Sequence, residues 1–135
     1  MTSVAKDLIT GLDPDNDAFW SAVAHGSIPL RRCTACGTHI TLPLPSCPEC
    51  GAEPLEPVTA AGTGSLYSWV VVHYAWDAAL AAEVPYVVGA VELDEGARIF
   101  GRLEGVEPVA GTRLVATFPD GGDRPPIVFV PEAPA

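Results

Sequence analysis

The four cysteines are the residues whose type and spacing could do the most chemistry. They form two Cys-x-x-Cys pairs, in the stretches CTACG and CPECG, and a glycine follows each pair. The residues are Cys33, Cys36, Cys47 and Cys50. Two such pairs joined by a short connection are typical of a tetrahedral zinc site. Four thiolates close the coordination shell, so we expect the metal to fold the segment rather than to catalyse.

Two disulfides and a redox-active Cys-x-x-Cys are the alternatives to a metal site. The sequence contains no apolar run long enough to span a bilayer, and its first twenty residues lack the apolar stretch of a signal peptide. We therefore expect a cytoplasmic chain, and in a reducing compartment paired Cys-x-x-Cys motifs favour metal binding. His39, between the pairs, could compete as a ligand, although an exposed loop histidine is the simpler interpretation.

The charge balance argues against polyanionic partners. The 135 residues include 17 acidic and 7 basic side chains, and the net charge is −10. Proteins that grip nucleic acid or an anionic membrane need clustered Lys and Arg, because neutralisation of phosphate supplies the affinity. We expect no nucleic acid and no membrane as partners. A binder of single-stranded nucleic acid is kept as an alternative because ribbons and small barrels often do that work.

The rest of the chain predicts a mainly β protein with one short N-terminal helix. The helix is expected over about Asp15–His25, within an N-terminal segment of residues 1–29, and a zinc ribbon over residues 30–57. Five strand-like stretches follow, namely Leu66–Tyr74, Pro85–Leu93, Ala97–Leu103, Thr112–Phe118 and Ile127–Val130. They suit a five-stranded OB-fold barrel over residues 58–135, with an SH3-like barrel as the alternative.

The predicted helix carries a large apolar stripe. Phe19, Trp20 and Val23 fall on one face by helical spacing. Such a stripe either packs on its own domain or docks on another protein, since exposed aromatic patches mark interfaces. The sequence leaves both interpretations open.

Candidate catalytic residues are few. His73, in the stretch VVVHYAW, could act as a general base, although a histidine hydrogen-bonded at a barrel mouth or interface is the simpler interpretation. Glu92, Asp94 and Glu95 cluster at a predicted turn, where acidic residues are usually solvated. An independent enzyme is therefore an alternative that lacks a recognisable catalytic constellation.

Two pairs of arginines stand out in so acidic a chain. Arg31 and Arg32 precede the first cysteine and could bind a phosphate or carboxylate, or simply be solvated or paired at a rim. Arg98 and Arg102 lie four residues apart in a predicted strand and hence on one face. They form a second basic stripe or pair with Glu92 across the hairpin.

The succession of motifs resembles a known family. The aromatic helix DAFWSAVAHG is followed by IPLRRCTACG, CPECG, GTGSLYSWVVVH, PYVVGAVELDEGARIFGRLEG and PIVFVP. This order, from residue 18 to residue 131, is similar to the acyl-CoA-associated family that couples a rubredoxin-like zinc ribbon to an OB-fold domain, once catalogued as domain of unknown function 35. The stretch PYVVGAVELDEGARI is the most specific part. The connection THITLPLPS departs from the family pattern at His39 and Thr41, so no ligand role is carried over to it.

The resemblance implies a non-catalytic accessory subunit. Members of this family mostly bind thiolase-like enzymes that act on acyl-CoA, such as thiolases, synthases and lipid-transfer-protein-like aldolases of steroid side-chain degradation. Their zinc ribbon and N-terminal helix usually contact that enzyme, and the OB-fold domain can help to shape its CoA channel. From the resemblance we expect the bare two-part unit, without a fused hydratase. A separately encoded thiolase-like partner is therefore implied, in an assembly of two plus two subunits with a CoA thioester as shared ligand.

Candidate contact residues follow from the same resemblance. Phe19, Trp20 and Ile28 are the expected anchors on the partner enzyme. Arg31 and Arg32 are the expected contacts to the phosphates of CoA. The aromatic strand offers three further anchors, which are Tyr67, Trp69 and Tyr74.

Overall fold

A computed structural model describes residues 17–41, 44–53, 55–75, 78–119 and 127–132. Within these ranges the elements are helix α1 (Asp17–Ala24), a 3-10 turn (Ala78–Leu80) and the strands β1 (Pro29–Cys33), β2 (His39–Ile40), β3 (Leu55–Thr59), β4 (Thr63–Val72), β5 (Tyr86–Leu93), β6 (Arg98–Leu103), β7 (Arg113–Thr117) and β8 (Val128–Pro131). The predicted mainly β class with one short N-terminal helix is confirmed.

Helix α1 ends one residue before the predicted end, and its predicted start at Asp15 lies outside the described residues. The amide of Gly26 donates a hydrogen bond to the carbonyl of Val23 at 2.9 Å and closes the last turn. Gly26 has a φ of +85°, a conformation that favours glycine and stops the helix. Among the described residues, no helix is both long and apolar enough to cross a bilayer.

Strands β1, β2 and β3 form a small antiparallel sheet in the order β2-β1-β3. In the central strand β1, Arg32 lies opposite His39 on one side and Glu56 on the other. The same strand buries Leu30 and ends at Cys33, the first cysteine of the metal motif. One strand therefore reaches from the cysteine cluster into the hydrophobic core.

Strands β4 to β8 close into a barrel in the order β4-β5-β6-β8-β7, with β7 returning to β4. Neighbouring strands are antiparallel, apart from β6 and β8, which run parallel. Side chains alternate between the interior and the surface, as β6 illustrates with buried Ile99 and Leu103 beside exposed Arg98 and Phe100.

The helix, the ribbon and the barrel share one hydrophobic core. Its buried members come from all three parts and include Val23, Ile28, Leu30, Leu66, Leu93 and Phe129. Hydrogen bonds also cross the boundary, since the amide of Ala60 donates to the carbonyl of Ile28 at 2.9 Å. The hydroxyl of Thr41 donates to the carbonyl of Arg98 at 3.2 Å. The cysteine cluster is therefore held against the barrel.

Strand β4 begins at Thr63, three residues before the predicted start at Leu66. Gly64 and Ser65 have low strand propensity, which concealed this start in the sequence. A Cβ at position 64 would overlap the backbone carbonyl of Glu92 in β5, so the close approach of the two strands requires glycine.

An ion-pair network joins the turn after β5 to the seam between β4 and β7. The carboxylate of Asp94 accepts two hydrogen bonds from the guanidinium of Arg113, at 2.7 and 2.9 Å, and a third from the hydroxyl of Thr63. Arg113 also contacts Glu132 at the end of β8, at 3.1 Å. The hydrogen bonds from Arg113, and then that from Thr63, lower the pKa of Asp94 to about 2.

Asp94→Asn should destabilise the chain at neutral pH but not in strong acid. Because the folded-state pKa of Asp94 is depressed, its contribution is present above the unfolded pKa and is lost as the pH falls through the folded value. Urea unfolding across the acid range should show the wild type more stable near neutrality, with the difference closing between about pH 4 and pH 2. A stability difference that stays constant down to pH 2 would contradict this role.

Gly101 in β6 makes room for a large, fully buried side chain. Phe129 in β8 has no solvent exposure, and a Cβ at position 101 would lie 2.6 Å from its Cδ2 atom. The phenyl ring therefore occupies the space beside the bare backbone of β6. Larger residues at position 101 would force the ring to move.

Gly101→Ala should cost about 1–3 kcal/mol in the free energy of unfolding, because the added methyl group overpacks the core against Phe129. Urea denaturation measures the cost. The double variant Gly101→Ala, Phe129→Leu should cost less than the sum of the two single changes, since the smaller side chain admits the methyl group. Strictly additive costs would show that the two positions do not compete for space.

Candidate metal centre and exposed barrel surface

Two backbone turns of the same design present the four sulfurs. In the first turn, the amide of Gly37 donates to the carbonyl of Cys33 at 2.9 Å, and the amide of Cys33 donates to the carbonyl of Thr38 at 2.8 Å. In the second, the amide of Gly51 donates to the carbonyl of Cys47 at 2.8 Å, and the Cys47 amide bonds to the carbonyl five residues later at 2.9 Å. Both glycines have φ near +80° (+80° and +77°), so each turn depends on its glycine.

The four sulfur atoms form one compact cluster, in which all lie within 4.8 Å of one another. The Sγ atoms of Cys33 and Cys50 are 3.6 Å apart, and so are those of Cys36 and Cys47. These distances far exceed the ~2.05 Å of a disulfide bond. Sulfurs placed tetrahedrally at about 2.3 Å from zinc would be about 3.8 Å apart. The cluster is suited to one tetrahedral metal ion and does not contain disulfides.

The sulfurs differ in exposure and in proton affinity. Two are buried, whereas those of Cys36 and Cys50 are exposed. The hydroxyl of Thr38 donates to the Cys36 sulfur at 3.0 Å and, together with the Thr38 amide, lowers the pKa of that thiol to about 6. At Cys50 the amide of Ala52 lowers the pKa, but the neighbouring sulfurs, that of Cys33 foremost, outweigh it and raise the pKa to about 12. Four sulfurs this close can all be ionised only around a cation.

The basic residues beside the cluster have different surroundings. Arg32 forms an ion pair with Glu56 at 2.9 Å within the ribbon sheet. Arg31 is exposed, and its guanidinium donates to the carbonyl of Leu44 at 3.3 Å. His39 lies half-buried in β2, whereas the candidate ligand group consists of the four cysteines. Of the two arginines expected at CoA, Arg31 is the more accessible.

The aromatic residues of α1 pack against the chain's own core and remain half-exposed. Phe19 and Trp20 contact the core cluster, with their ring centroids 4.9 Å apart and the rings nearly perpendicular. Ile28 is 1% exposed and lies inside that cluster, so a direct contact from its side chain to another protein would require the core to open. In the isolated chain, helix α1 therefore packs on its own domain. Phe19 and Trp20 each remain partly accessible.

Most of the large exposed apolar side chains of the described residues lie on β4 or just beyond it. Trp69, Val70 and Val71 are 38%, 60% and 45% exposed. Tyr67 and Tyr74 are also exposed, so all three aromatic residues expected on this strand lie at the surface. The strand thus presents an apolar surface on an otherwise acidic protein.

Sequence reasoning missed the two valines and Phe100, which is 75% exposed. The signal for Phe100 was present, because strict alternation in RIFGRL places it on the same face as Arg98 and Arg102. The run VVV carried no such signal, since it is equally compatible with a buried strand. His73 follows this run and is exposed.

The arginines of β6 stack on tyrosines of two other barrel strands, Tyr67 in β4 and Tyr86 in β5. The guanidinium carbon of Arg98 lies 3.7 Å from the ring centroid of Tyr67, and that of Arg102 lies 3.8 Å from the ring centroid of Tyr86. Such contacts combine cation–π attraction with stacking. Arg102 is also largely buried and pairs with Glu83 at 3.1 Å. The outer face of β6 is therefore ordered by packing as well as by charge.

Each of the three acidic residues that cluster near the turn after β5 has a partner within the chain. Asp94 belongs to the network with Arg113, Glu92 lies 3.9 Å from Arg98, and Glu95 accepts the amide of Ala61 at 2.8 Å. These contacts tie the turn to the connection between β3 and β4 and to the barrel seam. Their arrangement gives the carboxylates a structural role.

Comparison with known families assigns both parts of the chain. Residues 20–56 match the model described as ChsH2, rubredoxin-like zinc ribbon domain, and residues 57–119 match ChsH2, C-terminal OB-fold domain. The predicted zinc ribbon followed by an OB-fold barrel is thereby confirmed, and the SH3-like alternative is set aside.

Two curated relatives cover the same region. A probable enoyl-CoA hydratase alpha subunit of Thermomonospora curvata is 43% identical over 94 residues, which is 69% of this chain and 29% of that protein. A DUF35 domain-containing scaffold protein of Methanocaldococcus jannaschii is 36% identical over 91 residues, 64% of each chain. This chain therefore spans less than two thirds of the length of either relative.

A solved structure matches over nearly the whole chain. It is an Ltp2-ChsH2(DUF35) aldolase, in which the matching chain is 35% identical with a TM-score of 0.72. The superposition covers 89% of this chain and 96% of that chain. A likeness of this extent includes both the ribbon and the barrel.

The purified chain should contain one zinc ion, and removal of that ion should loosen the ribbon. Elemental analysis measures the zinc content, and amide hydrogen exchange with and without a chelator should show loss of protection over residues 33–51. Cys36→Ser should lower the zinc content, whereas Thr38→Ala removes one hydrogen bond and should retain the ion. A metal-free chain with fully protected ribbon amides would contradict a structural metal.

Proposed function

The chain belongs to the DUF35 family, in which a ChsH2-type zinc ribbon precedes an OB-fold domain, and from this membership we propose that it is a non-catalytic accessory subunit of a thiolase-like enzyme acting on acyl-CoA. In this role the chain stabilises the enzyme and helps to shape its CoA and acyl channel. The observation that carries the proposal is the likeness, over 89% of this chain, to a chain of an Ltp2-ChsH2(DUF35) aldolase.

The zinc ribbon is the proposed rigid arm of this subunit. One zinc ion would be held by the thiolates of Cys33, Cys36, Cys47 and Cys50, whose sulfurs already lie within 4.8 Å of one another. With four protein ligands the ion supplies structure rather than a site for substrate. Because β1 runs from Cys33 to buried Leu30, fixing the sulfurs also fixes the orientation of the ribbon on the barrel.

Helix α1 is the proposed first contact with the enzyme. Phe19 and Trp20 are anchored at one side by the core and keep part of their rings exposed, which suits aromatic hot-spot residues. Such side chains lose little freedom on binding because the core already holds them. Ile28 supports the helix from inside the core, so its contribution to the partner contact is indirect.

The barrel and the ribbon together suit the two ends of an acyl-CoA. The exposed apolar side chains of Tyr67, Trp69 and Tyr74 can form part of a wall for an acyl group. Arg31 has an exposed guanidinium that can contact a CoA phosphate, and Arg32 can do so if it leaves Glu56. A wall and a clamp position a substrate for chemistry that the partner's own residues perform.

We also propose an assembly of two plus two subunits in the cytoplasm. Thiolase-like enzymes are commonly dimers, so one accessory chain on each subunit gives this stoichiometry. Reduced cysteines that hold zinc fit a reducing compartment.

The proposal is tested by isolating the chain with and without its partner. Affinity purification from the native cells, followed by mass spectrometry, should identify a thiolase-like enzyme, and light scattering of the complex should give two plus two. The chain alone should leave acyl-CoA unconsumed, whereas its addition should raise the thermal stability or the activity of the enzyme. Consumption of a thioester by the chain alone, or a purified partner without a thiolase fold, would overturn the proposal.

Trp20→Ala should weaken the complex by about 2 kcal/mol or more if Trp20 is a hot spot of the interface. Isothermal titration with the identified enzyme measures the loss, and the zinc content and melting temperature of the variant check that it still folds. Trp20→Phe keeps an aromatic ring and is expected to retain most of the affinity. Full assembly with reduced activity in Trp20→Ala would instead place this residue in the substrate channel.

A further inference from the structure

Among the described residues, the end of β4 that projects beyond β7 has no strand paired along one edge; we call this stretch the β4 edge and define it as residues Ser68–Val72. We propose that an extended strand of the thiolase-like partner pairs with the β4 edge. This inference rests on the proposed function and adds to it the place and manner of contact. In such pairing, main-chain hydrogen bonds give affinity and alternating side chains give specificity.

Within the part of the chain that the structure describes, β7 does not reach the β4 edge because β4 is longer than β7. Pairing with β7 covers residues Thr63–Ser65, and two further hydrogen bonds join Leu66 to Gly111 and Thr112, at 2.8 and 2.9 Å. From Ser68 to Val72, β4 pairs with β5 on one side, and no strand of the described residues lies on the other. No strand of the described residues therefore pairs with the amides and carbonyls on that side.

The β4 edge also lacks the usual protection against pairing. The sequence SWVVV contains no charged residue, glycine or proline, and the bulge in β4 lies before it, between Leu66 and Ser68. Free edges in soluble proteins are normally guarded by lysine, proline or a bulge within the exposed stretch. An unguarded, β-branched edge indicates a surface that is covered in the working protein.

Both faces of the β4 edge are apolar and accessible. Trp69 lies opposite Gly89 and Val71 opposite Val87, whereas Val70 faces the other side of the sheet opposite Val88. Trp69, Val70 and Val71 all retain large exposed fractions. An incoming strand could therefore bury side chains on both faces, where aromatic and β-branched cross-strand pairs are favourable.

The occupant that fits best is a partner enzyme rather than a second copy of the chain. Each copy carries a net charge of −10, so self-pairing would bring two strongly acidic molecules together. The contact would centre on five residues from each copy, whereas stable interfaces usually engage about 20–30 residues a side. A partner enzyme already held by α1 needs the β4 edge to supply only part of the interface.

Amide hydrogen exchange on the full chain, free and in complex with the identified thiolase-like subunit, tests the inference directly. Those amides of residues 68–72 that point away from β5 should exchange fast in the free chain and slower by about tenfold or more in the complex, as for newly formed strand pairs. Sedimentation of the free chain should show a monomer.

The double variant Val70→Lys, Val71→Lys should raise the Kd of the complex by about 30-fold or more, because it places two charges on the edge that the partner covers. Val70→Thr is the matched control, since it keeps a β-branched side chain without charge and should change the Kd by less than about fivefold. Zinc content and melting temperature should match the wild type, since both valines are exposed.

The outcomes separate this inference from the proposed function. A complex that forms with unprotected amides at residues 68–72, or that tolerates the lysine variant, overturns the β4 pairing and leaves the accessory role intact. Failure to find any thiolase-like partner overturns the accessory role itself and the pairing with it. A free chain that dimerises and loses its dimer in the lysine variant shows that a second copy is the occupant.

Discussion

Strand β1 is the constraint on which the rest of the structure depends, because it ends in the sulfur cluster and passes through the hydrophobic core. Cys33 at its end has no solvent exposure, and Leu30, three residues earlier, packs in the cluster that also contains Ile28 and Phe129. A ribbon of this length can bury little apolar surface by itself. It is stable when a metal ion holds the two turns and the barrel covers the opposite side, so each stabilises the other.

This arrangement makes the ribbon and the barrel one body that carries two exposed surfaces of different kinds. Helix α1 offers aromatic rings that the core already fixes, whereas β4 offers backbone groups and valine side chains. Aromatic anchors depend on shape and burial, and strand pairing depends on hydrogen bonds at a fixed spacing. A rigid connection between the two makes their relative position part of the recognition, because a partner must match both at once.

Local patterns in the sequence were sufficient for the metal turns, for helix α1 and for the type of the five barrel strands, whereas strands β1, β2 and β3 were not predicted individually. The cysteine spacing and its glycines act within five residues, and the alternation in RIFGRL acts within six, so both could be predicted. The ion pair between Arg32 and Glu56 could not be predicted in this way, because the two residues lie 24 positions apart in the sequence. The exposure of Val70 depends on where β7 stops beside β4, a property of the closed barrel that no short stretch records.

The acidity of the chain gives a physical reason why an unguarded edge can persist. A charge of −10 keeps copies of the chain apart through long-range repulsion, so protection need not be built into β4 itself. A less acidic partner would not meet this repulsion, and a basic partner would be attracted. The proposed strand pairing would then involve the uncharged stretch of residues 68–72. Charge elsewhere on the surface thus supplies the discrimination against self-association, and the apolar edge supplies the attraction. Because surface charge prevents self-association and the β4 edge itself attracts the partner, one short strand can remain both exposed and selective.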